Sequence, residues 1–261
     1  MKTLRESLLD DDLINKTDKM IKDEIKLFLK ENYDGLIKIS KKPNTDGKYE
    51  VSSTKNIRVK NYNITSLTNG MFIWTIVDGY FNCCYCIKLE SLEGAPKEVG
   101  GKFNCSGCKS LKSLECAPEN VGGTFDCSYC KSLKSLDGAP KKVIDDFNCI
   151  YCDSLTSLEG APKEVGGKFD CSGCNSLKSL EGAPEKVGKD FDCSECTSLK
   201  SLEGAPEKVG GSFRCNSNKY LTSLEGAPKE VGDRFYCYDC VGKFTKEDVK
   251  KISNVKNNII C

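Results

Sequence analysis

The residues with the clearest chemical potential are the cysteines, which recur as Cys-x-x-Cys pairs. Cys105 and Cys108 form one pair, and Cys127 and Cys130 repeat it 22 residues later. Four thiolates at this spacing are typical of a zinc site, and a single pair is typical of a redox dithiol. The chain has 18 cysteines and no histidine. Any metal site would therefore use cysteine or carboxylate ligands alone, and a Ser-His or Cys-His nucleophile is excluded.

The composition limits the partners and the location of the protein. There are 39 basic and 38 acidic residues, so the formal charge is +1 and no basic surface for nucleic acid or acidic membrane is expected. The first sixteen residues contain no continuous apolar segment, and residues 71–77 form the longest strongly apolar run. We predict no signal peptide, no membrane span and a cytoplasmic location, where thiols stay reduced.

A strict repeat of 22 residues organises most of the chain. A SLEGAP-like segment occurs seven times without a change of spacing, and a valine and a phenylalanine recur with the same period. A fixed period of this length predicts the stacked coils of a solenoid. The repeated phenylalanines are Phe81, Phe103, Phe125, Phe147, Phe169, Phe191, Phe213 and Phe235.

Within each repeat, F-x-C is the only alternating segment, and it is followed by leucines three residues apart and a turn with proline. We predict a strand at F-x-C alone and parallel pairing of these strands at about 4.8 Å. The first glycine of the V-G-G segment is expected to supply a positive φ. The fold class is therefore mainly β, a parallel β-solenoid of about ten coils.

The repeat resembles a short bacterial-type leucine-rich repeat, L-x-x-L-x-L-x-x-N/C-x-L, over residues 55–261. One extra residue before the last leucine departs from that pattern. Asn218 takes the place of the second cysteine in one row, and asparagine is the other residue that the family pattern allows there. The resemblance implies a solenoid of leucine-rich-repeat type. The framework positions are Val165, Phe169, Cys171, Cys174 and Leu177.

The whole chain also resembles repeat proteins encoded by bacteriophages of gut bacteria, which carry SLEGAPKEVGG rows behind a leader similar to MKTLRESLLDDD. We predict two regions, 1–54 and 55–261. The first contains the leader, a capping helix over 18–32 with Asp18 as its N-cap, and a hairpin over 39–51. The second is the solenoid, with a C-terminal cap from residue 241 in which Thr245 begins a short helix.

The repeat changes the interpretation of the cysteines. Cys105 lies two residues after Phe103 and should point inward with it, and Cys108 should occupy the turn position of an inward asparagine. Asn218 also leaves Cys215 without a paired cysteine. We predict buried thiol ladders and no cofactor. Zinc and disulfides between neighbouring coils remain alternatives. The cysteines predicted to lie off the ladders are Cys84, Cys116 and Cys261.

Positions that vary between repeats indicate where a partner would bind, because the scaffold leaves them free. Large side chains in two neighbouring repeats predict a small interaction patch, and a second patch follows near the C-terminal end. The alternative is neutral variation of a tolerant surface. The candidate binding residues are Asp126, Tyr129, Asp145, Asp146, Asn148, Ile150, Tyr151, Asp170, Arg234, Tyr236 and Tyr238.

The leading hypothesis is a non-enzymatic module that binds a protein through its strand face, in its sharper form a phage-encoded factor that acts on a host or virion protein. No set of acid, base and nucleophile converges in the sequence. A ligase of the leucine-rich-repeat type would need a catalytic domain after the repeats, and only residues 241–261 follow the last full row. The alternative function is a cysteine array that binds metal or acts in redox chemistry.

Overall fold

Each 22-residue repeat forms one coil, and the coils stack into a parallel β-solenoid of about ten coils, which confirms the predicted fold class. The computed structural model describes residues 4–261, with their side chains from residue 16 onward. The first three residues of the predicted leader lie outside the described residues. Along the solenoid, two long sheets run side by side, and every coil contributes one short strand to each of them.

The phenylalanine sheet contains the strands predicted at F-x-C. Each repeated phenylalanine pairs in parallel with the phenylalanine of the next coil, as Phe147 does with Phe169. The first pair of strands alone is antiparallel. The described strands are Tyr33–Asp34, Ile57–Val59, Phe81–Asn82, Phe103–Asn104, Phe125–Asp126, Phe147–Asn148, Phe169–Asp170, Phe191–Asp192, Phe213–Arg214, Phe235–Tyr236 and Ile259–Ile260.

A second sheet, the valine sheet, corrects the prediction that F-x-C alone forms strands. Its strands are mostly dipeptides, too short to show alternation, and they become β structure because each pairs with the same dipeptide one coil away, as Val143 does with Val165. The described strands are Lys38–Ile39, Tyr49–Ser53, Phe72–Val77, Glu98–Val99, Asn120–Val121, Lys142–Val143, Glu164–Val165, Lys186–Val187, Lys208–Val209, Glu230–Val231 and Asn254–Val255.

The core is a set of parallel side-chain columns. The rings of the repeated phenylalanines are fully buried, and the centroids of neighbouring rings lie 5.1–5.8 Å apart. Leucine columns such as that of Leu111 and Leu114 are also fully buried. Burying a phenylalanine stabilises the fold by about 1.5–3 kcal/mol. The repeat thus makes one continuous core from coils that cannot bury a core alone.

The glycine columns differ from the prediction. The first glycine of V-G-G does not have a positive φ; it is required because a Cβ would collide with the preceding coil, as at Gly166 with the carbonyl oxygen of Ile144. The glycine of E-G-A-P has the positive φ instead, for example 85° at Gly160. Cys116 takes this position in one coil with a φ of 66°.

The N-terminal cap contains a helix and a hairpin. Helix α1 spans Leu4–Asn32, so the prediction of Asp18 as its N-cap is wrong. No proline or glycine interrupts the residues before Asp18, and nothing in them stops a helix. Ile25 and Leu29 are buried, and the ring of Phe28 packs 5.8 Å from that of Phe72.

The predicted hairpin is confirmed, and it belongs to the valine sheet. Ile39 pairs with Val51 in antiparallel register. The second hairpin strand, Tyr49–Ser53, then pairs in parallel with Phe72–Val77, so the sheet continues from the cap region into the solenoid. The cap thereby covers the first strand of the repeats, which would otherwise present unpaired backbone groups.

The C-terminal cap is confirmed as well. Helix α2 spans Lys246–Lys250, and Thr245 and Asp248 form a capping box at its start. Val249 is fully buried, and Asn254–Val255 and Ile259–Ile260 add the last strands of the two sheets. In the described part of the chain, no helix has the length and apolar character needed to cross a membrane.

Candidate functional site

In every Cys-x-x-Cys pair after the first, the second cysteine bonds to the backbone of the preceding coil. Its thiol donates to the carbonyl oxygen of the first cysteine one coil earlier, with a sulfur-to-oxygen distance of 3.2 Å from Cys108 to Cys83 and 3.1 Å from Cys174 to Cys149. The same bond recurs from Cys130, Cys152, Cys196 and Cys240. The pairs thus serve as a ladder of weak donors between coils.

Asn218 confirms this role, because it occupies the second-cysteine position with a different donor. Its side-chain amide donates to the carbonyl oxygen of Cys193 at 3.0 Å and to that of Cys215 at 2.7 Å. Asn218 is fully buried, as the cysteines at equivalent positions are. Thiol and amide are interchangeable here because both satisfy the carbonyl at the end of a strand.

Burial favours the protonated thiol at Cys193 and Cys215, which are first cysteines of the repeat. Burial is the main cause that raises the pKa of Cys193 and of Cys215 well above the ordinary value, and the neighbouring thiols raise it further. A zinc ligand or a nucleophile must be the thiolate. Among the described residues, no group of three or more cysteines and carboxylates is arranged to hold a metal ion.

The cysteines predicted to lie off the ladders have different outcomes. Cys261 follows the last strand by one residue, so it enters the ladder next to Cys237, with which it forms a disulfide at a Cα–Cα distance of 4.7 Å. Its assignment as an off-ladder thiol is wrong, because the truncated last coil repeats the inward position. Cys84 is half-buried and Cys116 is exposed, both as free thiols.

In five coils, the outward residue next to the phenylalanine has a structural role that the sequence did not reveal. Its side-chain oxygen accepts a hydrogen bond from the backbone N–H two residues later, at 2.9 Å from Ser106 to Asn104 and at 3.0 Å from Ser172 to Asp170. Asn82, Asp126 and Asp192 form the same turn. Asn and Asp recur there because they favour this turn.

Ion pairs neutralise most of the charge on the phenylalanine-sheet face. The Lys168 ammonium lies 2.7 Å from the Asp170 carboxylate and 3.3 Å from that of Asp192, and Lys102 lies 2.8 Å from Asp126. Arg214 pairs with Asp190 at 2.6 Å. These acidic groups already have basic partners within the face.

Two predicted binding residues are therefore part of the scaffold. Asp170 points outward, but Lys168 covers it and only 6% of it is exposed, which corrects its assignment as a free surface residue. Asp146 accepts a hydrogen bond from the backbone N–H of Lys168 at 2.8 Å and so joins two coils. Asn148 is half-buried, and Asp145 is exposed.

The structure brings the predicted aromatic patch together. The rings of Tyr129 and Tyr151 stack with their centroids 5.4 Å apart, as predicted for neighbouring coils. Ile150, half-buried, precedes Tyr151 in the chain. The hydroxyl of Tyr151 donates to the carboxylate of Glu195, two coils further on, at 2.9 Å. The patch is a row of rings held at one end by a carboxylate.

These tyrosines lie in the turn after the strand rather than on it. Tyr129 and Tyr151 have φ values of 61° and 52°, and the equivalent residues of other coils include Gly107 and Gly173. Tyr85 belongs to the same column with a φ of 59°, and its ring lies against Gly107. We name Tyr85, Tyr129 and Tyr151 the tyrosine ridge. Sequence reasoning missed Tyr85, although it precedes Tyr129 by two repeats.

The second predicted patch is separate from the first. Arg234 donates to the hydroxyl of Tyr236 at 3.3 Å, and the guanidinium of Arg214 lies 5.0 Å from the centroid of the Tyr236 ring. Tyr238 is exposed on the same coil. Four coils at about 4.8 Å place this patch about 19 Å from the coil of Tyr151. One small ligand would not bridge both patches.

An open groove of about 750 Å³ on the valine sheet was not predicted. Its floor includes Gly166 and Gly188, whose lack of side chains creates the depression, and Ile144 lies at one end. Lysines and glutamates border it and pair with each other, as Lys186 does with Glu164 at 2.8 Å. The groove thus has neither a net charge pattern nor a buried polar group that indicates a ligand.

The fold and this surface define the chain as a cysteine-rich solenoid repeat protein. Comparison with protein-family models, with curated proteins and with solved structures finds no match to the chain.

Proposed function

We propose that the chain is a non-enzymatic repeat module that binds a protein through the phenylalanine-sheet face and the adjoining tyrosine ridge. One observation carries the proposal. Tyr129, Ile150 and Tyr151 are large side chains in two neighbouring coils, at positions that are glycine or serine in several other coils, such as Gly107, Ser172 and Gly173. The scaffold does not need these side chains, because the coils with Gly107, Ser172 and Gly173 fold in the same way.

The charges of the face support an apolar anchor. Because Asp126 and Asp170 already have lysine partners at 2.8 and 2.7 Å, a new partner gains little from these carboxylates. Exposed aromatic rings offer a large contact area at a small cost in side-chain entropy, and interface energy concentrates in such residues. The affinity should therefore depend on the rings more than on the acidic residues.

The proposal also covers where the protein is made and what it acts on, and the resemblance to gut-bacteriophage repeat proteins supports this part. In this part of the proposal, the module is of leucine-rich-repeat type, is made in the host cytoplasm and acts on a host or virion protein. Its near-neutral charge of +1 favours a protein over a nucleic acid or an acidic membrane as the partner.

The test compares the intact chain with a variant that restores the residues of the other coils, Tyr129→Gly, Ile150→Ser and Tyr151→Gly. Each chain is immobilised and exposed to host extract, and the captured partner is then purified and titrated. We expect the triple variant to fold and to lose the partner. The control is Tyr220→Ser, which removes an exposed tyrosine elsewhere at a position that is serine in the preceding coil, Ser198. A partner that binds the triple variant as tightly as the intact chain would disprove the proposal.

A further inference from the structure

The backbone conformation at the three tyrosines of the ridge is unfavourable for a residue with a side chain. All three tyrosines have a positive φ, a region that costs a residue with a side chain about 1–2 kcal/mol. Gly107 and Gly173 show that the same turn forms with glycine, which adopts this φ without the penalty. Glu195, Ser217 and Asp239 share the positive φ at the equivalent position of later coils, so this turn belongs to the repeat and the tyrosines add exposed rings to it. Two of the rings are accessible, with 59% of Tyr85 and 46% of Tyr129 exposed, and Tyr151 is half-buried.

The spacing of the ridge matches one type of extended chain. Tyr85 and Tyr129 are two coils apart, which is about 9.6 Å at about 4.8 Å per coil. A polyproline II helix has three residues per turn and advances about 9.3 Å in that turn. Two residues of such a chain, three positions apart, would therefore meet Tyr85 and Tyr129, while Tyr151 stacks on Tyr129 at 5.4 Å and supports it from the next coil. Proline-rich segments dock on aromatic side chains in this way, with their conformation formed before binding.

One end of the ridge carries a negative charge. Glu195 is exposed and accepts a hydrogen bond from the Tyr151 hydroxyl. No lysine or arginine among the described side chains pairs with Glu195, in contrast to Asp170 and Asp192. A basic side chain at the end of a bound segment would complement this carboxylate.

We propose that the tyrosine ridge binds a proline-rich segment of a partner protein in the polyproline II conformation, with a basic residue of the segment beside Glu195. This inference rests on the proposed function and specifies the chemistry of the partner. From Tyr85 to Glu195 the site covers five coils, about 24 Å. Nine residues of a polyproline II helix span about 28 Å and would cover the site.

The experiment titrates the full chain into a fluorescein-labelled peptide of nine prolines with an arginine at each end, and measures fluorescence anisotropy. A peptide of glycine and serine with the same length and the same arginines is the matched probe. We expect saturable binding of the proline peptide and at least about tenfold weaker binding of the glycine-serine peptide, a difference of about 1.4 kcal/mol.

Substitutions then locate the binding. Tyr129→Gly should raise the dissociation constant of the proline peptide at least about tenfold, and it should fold because Gly107 and Gly173 occupy the same turn. Glu195→Gln should weaken binding about two- to fivefold and reduce its salt dependence. Tyr220→Ser should leave the dissociation constant unchanged. Circular dichroism and urea unfolding verify that each variant is folded.

The outcomes separate this inference from the proposed function. Equal binding of the two peptides, no saturable binding, or binding unaffected by Tyr129→Gly would overturn the proline-rich partner. Tighter binding of a neutral oligosaccharide such as cellohexaose than of the proline peptide would also overturn the proline-rich partner. In each of these cases the proposed function stands if a captured protein is lost in the triple variant, because that capture does not use the peptide. The proposed function fails separately if the triple variant retains its protein partner.

Discussion

At the scale of single residues, the cysteines act as small buried donors. The thiol of Cys174 reaches the carbonyl oxygen of Cys149 at 3.1 Å, and this contact recurs between coils where the backbone turns away from the strand. A thiol is a weak donor, but it is small enough to fit the core without a second polar atom. The Cys-x-x-Cys spacing that resembles a zinc site is thus a consequence of strand and turn geometry.

Exchange at Asn218 tests this role. Asn218→Cys should change the free energy of unfolding by less than about 1 kcal/mol, because a thiol restores the bond to Cys193. The substitution removes the hydrogen bond to the carbonyl oxygen of Cys215, which costs stability. It also removes the side-chain oxygen of Asn218, which is buried without a hydrogen-bond partner, and this offsets the loss. Asn218→Val should cost about 1–3 kcal/mol, since both carbonyls lose their donor. Urea unfolding measures both variants, and an equal cost for cysteine and valine would contradict the donor role.

At the scale of the strand, inward and outward residues differ less than alternation alone implies. Phe169 belongs to the buried ring stack, with its neighbouring centroids at 5.3 Å. Asp170 faces outward, yet it accepts from the backbone N–H of Ser172 and pairs with Lys168. Such a strand is therefore held on both faces, by packing inside and by hydrogen bonds and ion pairs outside.

Alanine substitutions on this strand give distinct expected costs. Phe169→Ala should lower the free energy of unfolding by about 3–5 kcal/mol as a buried aromatic truncation. Asp170→Ala should cost about 1–2 kcal/mol, because the turn N–H and the lysine lose their acceptor. Lys178→Ala, at an exposed position, should stay within about 0.5 kcal/mol and serves as the control. If Asp170→Ala matched the control in urea unfolding, the outward hydrogen bonds would contribute nothing.

At the scale of the whole molecule, buried thiols at the first-cysteine position recur along the solenoid, and we expect them to lower its stability at alkaline pH. Burial raises the pKa of thiols such as Cys193 and Cys215 in the folded state. In the unfolded chain a cysteine has a pKa of about 8.5. Above that pH the unfolded state binds fewer protons than the folded state, and stability falls as the pH rises.

We expect the free energy of unfolding to decrease between pH 7.5 and pH 9.5. Each thiol that ionises only on unfolding contributes a slope of about 1.4 kcal/mol per pH unit above about pH 8.5. Urea unfolding at several pH values measures the slope. Replacing Cys171 and Cys193 by valine should make it shallower, and a flat profile for the intact chain would show that the thiols are not protonated by burial.

The alternative of a metal-binding or redox array is tested on the same scale. When the protein is expressed and purified without added zinc, we expect it to contain well below one zinc ion per chain. Thiol titration under denaturing, non-reducing conditions should find sixteen free thiols, since Cys237 and Cys261 are joined and the others are free. Stoichiometric zinc, or a majority of blocked thiols, would replace the ladder by metal sites or disulfides.

Features that repeat, or that depend on adjacent residues, could be predicted from the order of residues alone. The 22-residue period predicted the solenoid and the inward phenylalanines. The presence of Asn218 where other repeats have cysteine predicted an inward side chain that bonds to the backbone. The helix cap at Thr245 and the hairpin were predicted as well, because their hydrogen bonds join residues close in the chain. Such features can be predicted because they depend on residues that are adjacent in the chain or that recur at a fixed spacing.

Features that arise from contacts between coils could not be predicted in this way. The valine sheet exists because dipeptides pair across a full repeat, and Asp170 is covered because Lys168 folds over it. The tyrosine ridge depends on a turn with positive φ, and its rings reach Gly107 and Gly173 in the next coils. Its contact partners are distant in the chain, so their approach follows from the stacking of the coils and not from any local pattern.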